Sequence, residues 1–99
     1  MNLETINEEL KQISSELNGL LPQLSMAEQS YQKVYFNQII RSGMGNAQSR
    51  EAEAYLTCDT EGVLSPYQEL KISVRTLINR KECLIEISKN IRTLRGETG

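Results

Sequence analysis

The sequence predicts an all-α protein: an elongated helical hairpin or bundle with coiled-coil-like packing, a kinked N-terminal helix and a long C-terminal helix. Three observations predict it. Leu3, Ile6, Leu10, Ile13, Leu17, Leu20 and Leu24 recur at alternating steps of three and four. That spacing keeps one stripe of a helix turned toward a partner helix. A second long run, from Ser65-Pro66 to Gly96, opens on a helix-start signal and carries Leu70, Val74, Leu77, Leu84 and Ile91. Hydrophobic residues make up 38% of the chain and charged residues 24%, lean for a stand-alone core but suited to helices that bury one stripe and solvate the rest. At 99 residues the chain is expected to form a single helical domain, 1–99, or part of an assembly.

The first helix is expected over about 2–41. Glu4, Glu8 and Glu9 suit the positive end of its dipole, and the apolar stripe continues more weakly through Ala27, Tyr31 and Val34. Pro22 lacks an amide donor and crowds the preceding turn. Ser25, with Glu28 three residues on, offers a fresh cap there. The apolar phase nevertheless passes Pro22 without a slip, which favours a kinked, nearly continuous helix. Tyr31, Val34, Tyr35, Phe36, Ile39 and Ile40 then read as an aromatic core-packing centre. A platform for stacking bases would need more basic neighbours than Lys33 and Arg41.

Ser42-Gly43-Met44-Gly45-Asn46 is an interruption in which Asn46 can cap the next helix. Its Gly-x-Gly lacks the preceding strand and following Lys-Ser/Thr of a phosphate-binding loop. A short helix is expected over about 47–57, packing through Ala52, Ala54, Tyr55 and Leu56, with a second loop over 58–62. Ser65 as cap, Pro66 at the first helical position and Gln68 three after the cap form a capping box. The third helix is therefore expected over 66–95, stopping at Gly96, about 45 Å long. Ile78, Ile85, Ile87 and Leu94 flank its main stripe, a face wide enough to touch at least two other helices. The helix-pairing seam is accordingly assigned to Leu3, Ile6, Leu10, Ile13, Leu17, Leu20, Leu24, Leu70, Val74, Leu77, Leu84 and Ile91.

The formal net charge is −2, but its distribution is uneven. Residues 1–30 hold five acids and one base, whereas 66–95 hold seven bases and three acids. Complementary flanks of one helix packing are the plainer reading. A basic face kept for nucleic acid or an acidic partner is the sharper one, with Arg75, Arg80, Lys81, Lys89, Arg92 and Arg95 as its contacts.

Catalytic chemistry finds no residues to carry it. There is no histidine to act as general base or complete a triad. Arg50 with Glu51 and Glu53 reads as a solvated helix edge. Cys58 and Cys83 lack metal-ligand spacing and suit reduced thiols in a cytoplasmic protein. No catalytic, metal or cofactor site is assigned, and no enzyme activity is expected. Neither a membrane span nor a secretory signal is expected.

The stretch Gly45-Asn46-Ala47-Gln48-Ser49-Arg50-Glu51-Ala52-Glu53-Ala54-Tyr55-Leu56 precedes a long helix ending Ile91-Arg92-Thr93-Leu94-Arg95. Together, over roughly residues 45–95, they resemble a loose group of small helical bacteriophage proteins with a short Asn-Ala-x-x-Arg-x-Ala segment. Such proteins are often encoded in early regions beside recombinases and single-strand-binding proteins. The resemblance implies an origin and a setting in the host cytoplasm. The expected function is thus a non-enzymatic accessory protein acting by binding in DNA recombination or replication, from a homo-oligomeric scaffold (dimer or larger). Its expected contacts are a protein partner and, secondarily, single-stranded nucleic acid. The alternative is an anti-defence protein that occludes a host defence or replication protein, with Glu4, Glu8, Glu9 and Glu16 as the mimicking face.

Overall fold

The computed structural model describes residues 2–43 and 45–96. Among them the chain is all-α, with three helices and no strand: α1 over Leu3–Ser42, α2 over Ala47–Thr60 and α3 over Leu64–Leu94. Helix α1 starts where the Asn2 side chain accepts hydrogen bonds from the Thr5 amide (2.8 Å) and hydroxyl (2.9 Å). Asn2 thus caps the helix instead of forming its first turn. The helix runs unbroken through Pro22, so Ser25 starts nothing. Pro22 donates no amide hydrogen to the carbonyl four residues back.

The chain divides into two compact units. Unit 1 contains the amino-terminal half of α1, through Leu21, and α3 from Ser73 onward. Its core is Ile6, Ile13 and Leu17 from α1, with Val74, Leu84 and Ser88 from α3. On α3 the inward positions are Val74, Leu77, Lys81, Leu84, Ser88 and Ile91, all buried or half-buried. They step by three and four throughout, the coiled-coil spacing.

Unit 2 spans residues 22–72: the rest of α1, all of α2 and the start of α3. Ala54, Cys58 and Leu64 are buried there. All four tyrosines and the single phenylalanine of the chain lie in this unit. Tyr31 stacks on Tyr67 with ring centroids 4.9 Å apart and on Tyr35 at 5.7 Å. Lys71 Nζ sits 5.5 Å over the Tyr67 ring. The aromatic centre is only partly internal, however. Phe36 and Ile40 are 56% and 75% exposed, because α1 here turns one face to α2 and α3 and these two side chains lie off it.

Two helix boundaries differ from those the sequence predicts. Helix α2 continues past residue 57 to Thr60, and Cys58 is core instead of loop. The helix ends at Gly62 (φ +77°), where the Gly62 amide donates to Asp59 O and the Val63 amide to Cys58 O. That paired pattern is the Schellman cap, and Cys58 packs as a small hydrophobe within it. Helix α3 begins at Leu64 instead of Pro66. Burying Leu64 draws the start back two residues, leaving Pro66 in the first turn, where its missing donor costs nothing. Gln68 donates to the Tyr55 hydroxyl (3.3 Å) instead of closing a capping box. At the other end, the Gly96 amide bonds to Thr93 O with φ +76°, a stop where the sequence places one.

The α1–α2 corner is tied by polar groups. Asn46 caps α2, its side chain accepting from the Ser49 amide at 2.8 Å. Arg50 is half-buried and donates through Nη2 to the Ile39 carbonyl at 2.9 Å. The Ser42 hydroxyl shares its proton between Gln38 O (2.9 Å) and the Glu53 carboxylate (3.1 Å). Arg50 is therefore not part of a solvated edge, whereas Glu51 and Glu53 are exposed. Arg50 satisfies a carbonyl at the end of α1, where carbonyls lack partners within the helix, and the Glu53 carboxylate accepts from the Ser42 hydroxyl.

Candidate functional site

The twelve seam residues are all buried or half-buried: Leu3, Ile6, Leu10, Ile13, Leu17, Leu20 and Leu24 on α1, and Leu70, Val74, Leu77, Leu84 and Ile91 on α3. Leu24 and Leu70 belong to unit 2 and the others to unit 1. Sequence reasoning missed Lys81 and Ser88 as inward positions. The signal was present: Val74, Lys81 and Ser88 repeat every seven residues beside Leu77, Leu84 and Ile91.

The six basic candidates of α3 separate into groups. Arg80 is not free: Nε lies 2.8 Å and Nη2 3.2 Å from the Glu9 carboxylate. The hydrogen bonds and charge of Glu9 raise the Arg80 pKa above its ordinary value. Lys81 is half-buried at a seam position, as the long apolar stem of a lysine allows. Arg80 is thus exposed but paired, and Lys81 is only half exposed. Arg75, Lys89, Arg92 and Arg95 remain exposed.

Three of these four lie on one stripe. Arg75, Ile78, Glu82, Ile85, Lys89 and Arg92 step by three and four along α3 and are all exposed. The wide apolar face of α3 is thus not covered by a second helix within unit 1. Ile78 and Ile85 stay 39% and 36% exposed between cations. Beside this stripe a groove of about 210 Å³ is lined by Asn7, Leu10, Ile85, Ser88, Lys89 and Arg92. It exists because Ser88 stands, 8% exposed, where a heptad seam ordinarily carries a larger apolar side chain.

Unit 2 has a different groove, of about 390 Å³, where Lys33, Asn37, Gln38 and Arg41 of α1 face Thr57 and Glu61. Its lining is mixed in charge. Cys58 lies beneath the tyrosines, its thiol 3.7 Å from the Tyr31 carbonyl. Burial first, and then Glu61, push the thiol pKa up. A protonated buried thiol is a poor nucleophile. Burial likewise raises the Tyr31 phenol, with Cys58 and the other tyrosines adding to it.

Among the described residues no group of three or more histidine, cysteine, aspartate or glutamate side chains could hold a metal ion. None of the helices, over those residues, is long and apolar enough to cross a membrane. No family model, curated protein or solved structure matches the chain.

Proposed function

We propose that this chain is a non-enzymatic accessory protein that acts by binding, in DNA recombination or replication, from an oligomeric helical scaffold. The observation that carries the binding role is the exposed α3 stripe, in which Ile78 and Ile85 lie uncovered between Arg75, Lys89 and Arg92. Apolar side chains rimmed by charge mark surfaces that meet partners. The setting in recombination or replication comes from the resemblance of residues 45–95 to small bacteriophage proteins.

Direct contact with single-stranded DNA is the second reading, favoured by the four exposed cations Arg75, Lys89, Arg92 and Arg95. If all four neutralise phosphates, the logarithm of affinity falls against the logarithm of salt with a slope of about −3. Occlusion of a host protein by carboxylates is weaker. Glu9 is engaged by Arg80, and Glu8 has Lys11 at 3.8 Å.

Light scattering and anisotropy with labelled oligodeoxythymidylate, each at low and high salt, test the proposal together with affinity capture from infected cells. A mass above the monomer, with recombination or replication proteins retained, is expected. A monomer at every concentration would overturn the oligomeric scaffold. Retention of one unrelated host enzyme at fixed stoichiometry would replace the accessory role with the anti-defence role.

A further inference from the structure

We propose that the groove beside Ser88 in unit 1 is a docking site for an acidic amphipathic helix of a partner protein. The proposal rests on the binding role above and names the chemistry of the partner. Three features of the groove define that chemistry. Its floor is a gap in the seam between Leu84 and Ile91: Ser88 is short, and Leu10 beside it is half-buried rather than sealed. An inserted aliphatic side chain would complete the layer as a knob fills a hole. Its lip carries Lys89 and Arg92, both exposed. Among the described residues no acidic side chain forms an ion pair with either. Its continuation is periodic: Ile78 and Ile85 are seven residues apart on the exposed face, a spacing that another helix matches with aliphatic residues every two turns.

The same features argue against the other occupants. A nucleic-acid strand stacks its bases on aromatic rings, and unit 1 has none. A second copy of the chain fits poorly too. Of the exposed acids in the unit 1 part of α1, Glu4 and Glu8 share a stripe with Lys11, Ser15 and Asn18, and Glu16 shares one with Thr5, Gln12 and Gly19; neither stripe carries an aliphatic side chain. The α3 stripe of a second copy would bring its own cations against these. Carboxylates flanking an aliphatic ridge are what the groove complements, and the charges set approach and orientation more than affinity.

The test uses the full chain and three labelled probes in fluorescence anisotropy at low salt. One is a synthetic peptide helix with leucines every seven residues flanked by glutamates. The second carries lysine at every glutamate position, and the third is oligodeoxythymidylate. The acidic peptide binds, more weakly as salt rises, and the lysine peptide does not. Ser88→Leu fills the groove and weakens the acidic peptide about tenfold or more. Because that variant can disturb the seam, a second one, Lys89→Glu with Arg92→Glu, changes only exposed residues. It reverses the preference, losing the acidic peptide and gaining the lysine peptide.

Failure of the acidic peptide to bind, or unchanged binding to the charge-reversed variant, overturns the proposal. Binding of the oligonucleotide through Lys89 and Arg92, with the acidic peptide ignored, also overturns it while leaving the general binding role intact. A fall in native mass on Ser88→Leu gives the groove to a second copy instead. Retention of recombination or replication proteins by a chain that ignores the peptide separates failure of the groove from failure of the function.

Discussion

Cys58 and Tyr31 meet in the interior of unit 2, and their ionisation has a consequence for stability. Burial raises both groups above the ordinary thiol and phenol values of 9.0 and 10.0. A group whose folded pKa exceeds its unfolded pKa stabilises the fold fully below the unfolded value. That stabilisation is lost as pH rises through the folded one. Stability to urea should therefore decline as pH climbs past about 9, and less steeply in Cys58→Val. A flat profile to pH 11 would contradict the burial of both groups. Thiol labelling checks the same point: at pH 8 a thiol reagent should modify exposed Cys83 rapidly and Cys58 only on denaturation. The packing of Tyr31 was legible in the sequence, but that of Cys58 was not. Cys58 reads as loop because Asp59, Thr60, Glu61 and Gly62 come directly after it, and its burial depends on Tyr31, twenty-seven positions earlier.

Among the helices, the inward stripe of α1 was readable because leucine and isoleucine hold its phase from Leu3 to Leu24 without exception. That of α3 was readable only in part. A lysine and a serine occupy seam positions 81 and 88, and aliphatic residues at 78 and 85 face outward. Hydropathy alone therefore misassigns that face, and for the same reason it gives no sign of the groove at Ser88. Helix ends depend on backbone geometry more than on hydropathy. Gly62 closes α2 with φ +77°, and a Cβ there would meet no atom within 4 Å. Gly62→Ala should thus cost about 1 kcal/mol through backbone strain alone. Gly19 lies within α1, and a Cβ there would also meet nothing within 4 Å. Gly19→Ala should stabilise by roughly 0.5–1 kcal/mol. Thermal melts of the two variants should move in opposite directions, and a shift of the same sign in both would refute the assigned end of α2.

For the molecule as a whole, few large side chains are fully buried: Ile6, Leu84 and Cys58 are the largest among the described residues. Exposed Leu21, Met26, Phe36, Ile40, Leu56 and Ile72 stand against that thin interior. The all-α class was legible because it depends on periodicity, which the chain carries locally. The proposed docking face was not, since it depends on which apolar residues the fold leaves over. Replacing both Leu10 and Leu17 with aspartate should abolish cooperative melting of unit 1, because each places an unpaired charge in the seam. Circular dichroism and light scattering on that variant provide the check, and unchanged melting with unchanged mass would mean the buried face is misassigned. The gathering of every tyrosine and the phenylalanine into unit 2 makes the chain optically lopsided. Intrinsic fluorescence and near-ultraviolet dichroism watch residues 22–72 alone, while the amide signal averages over all three helices. With one unit free of aromatic residues and the other bearing every tyrosine, two ordinary spectra, recorded on the unmodified chain, report whether the two units melt in concert.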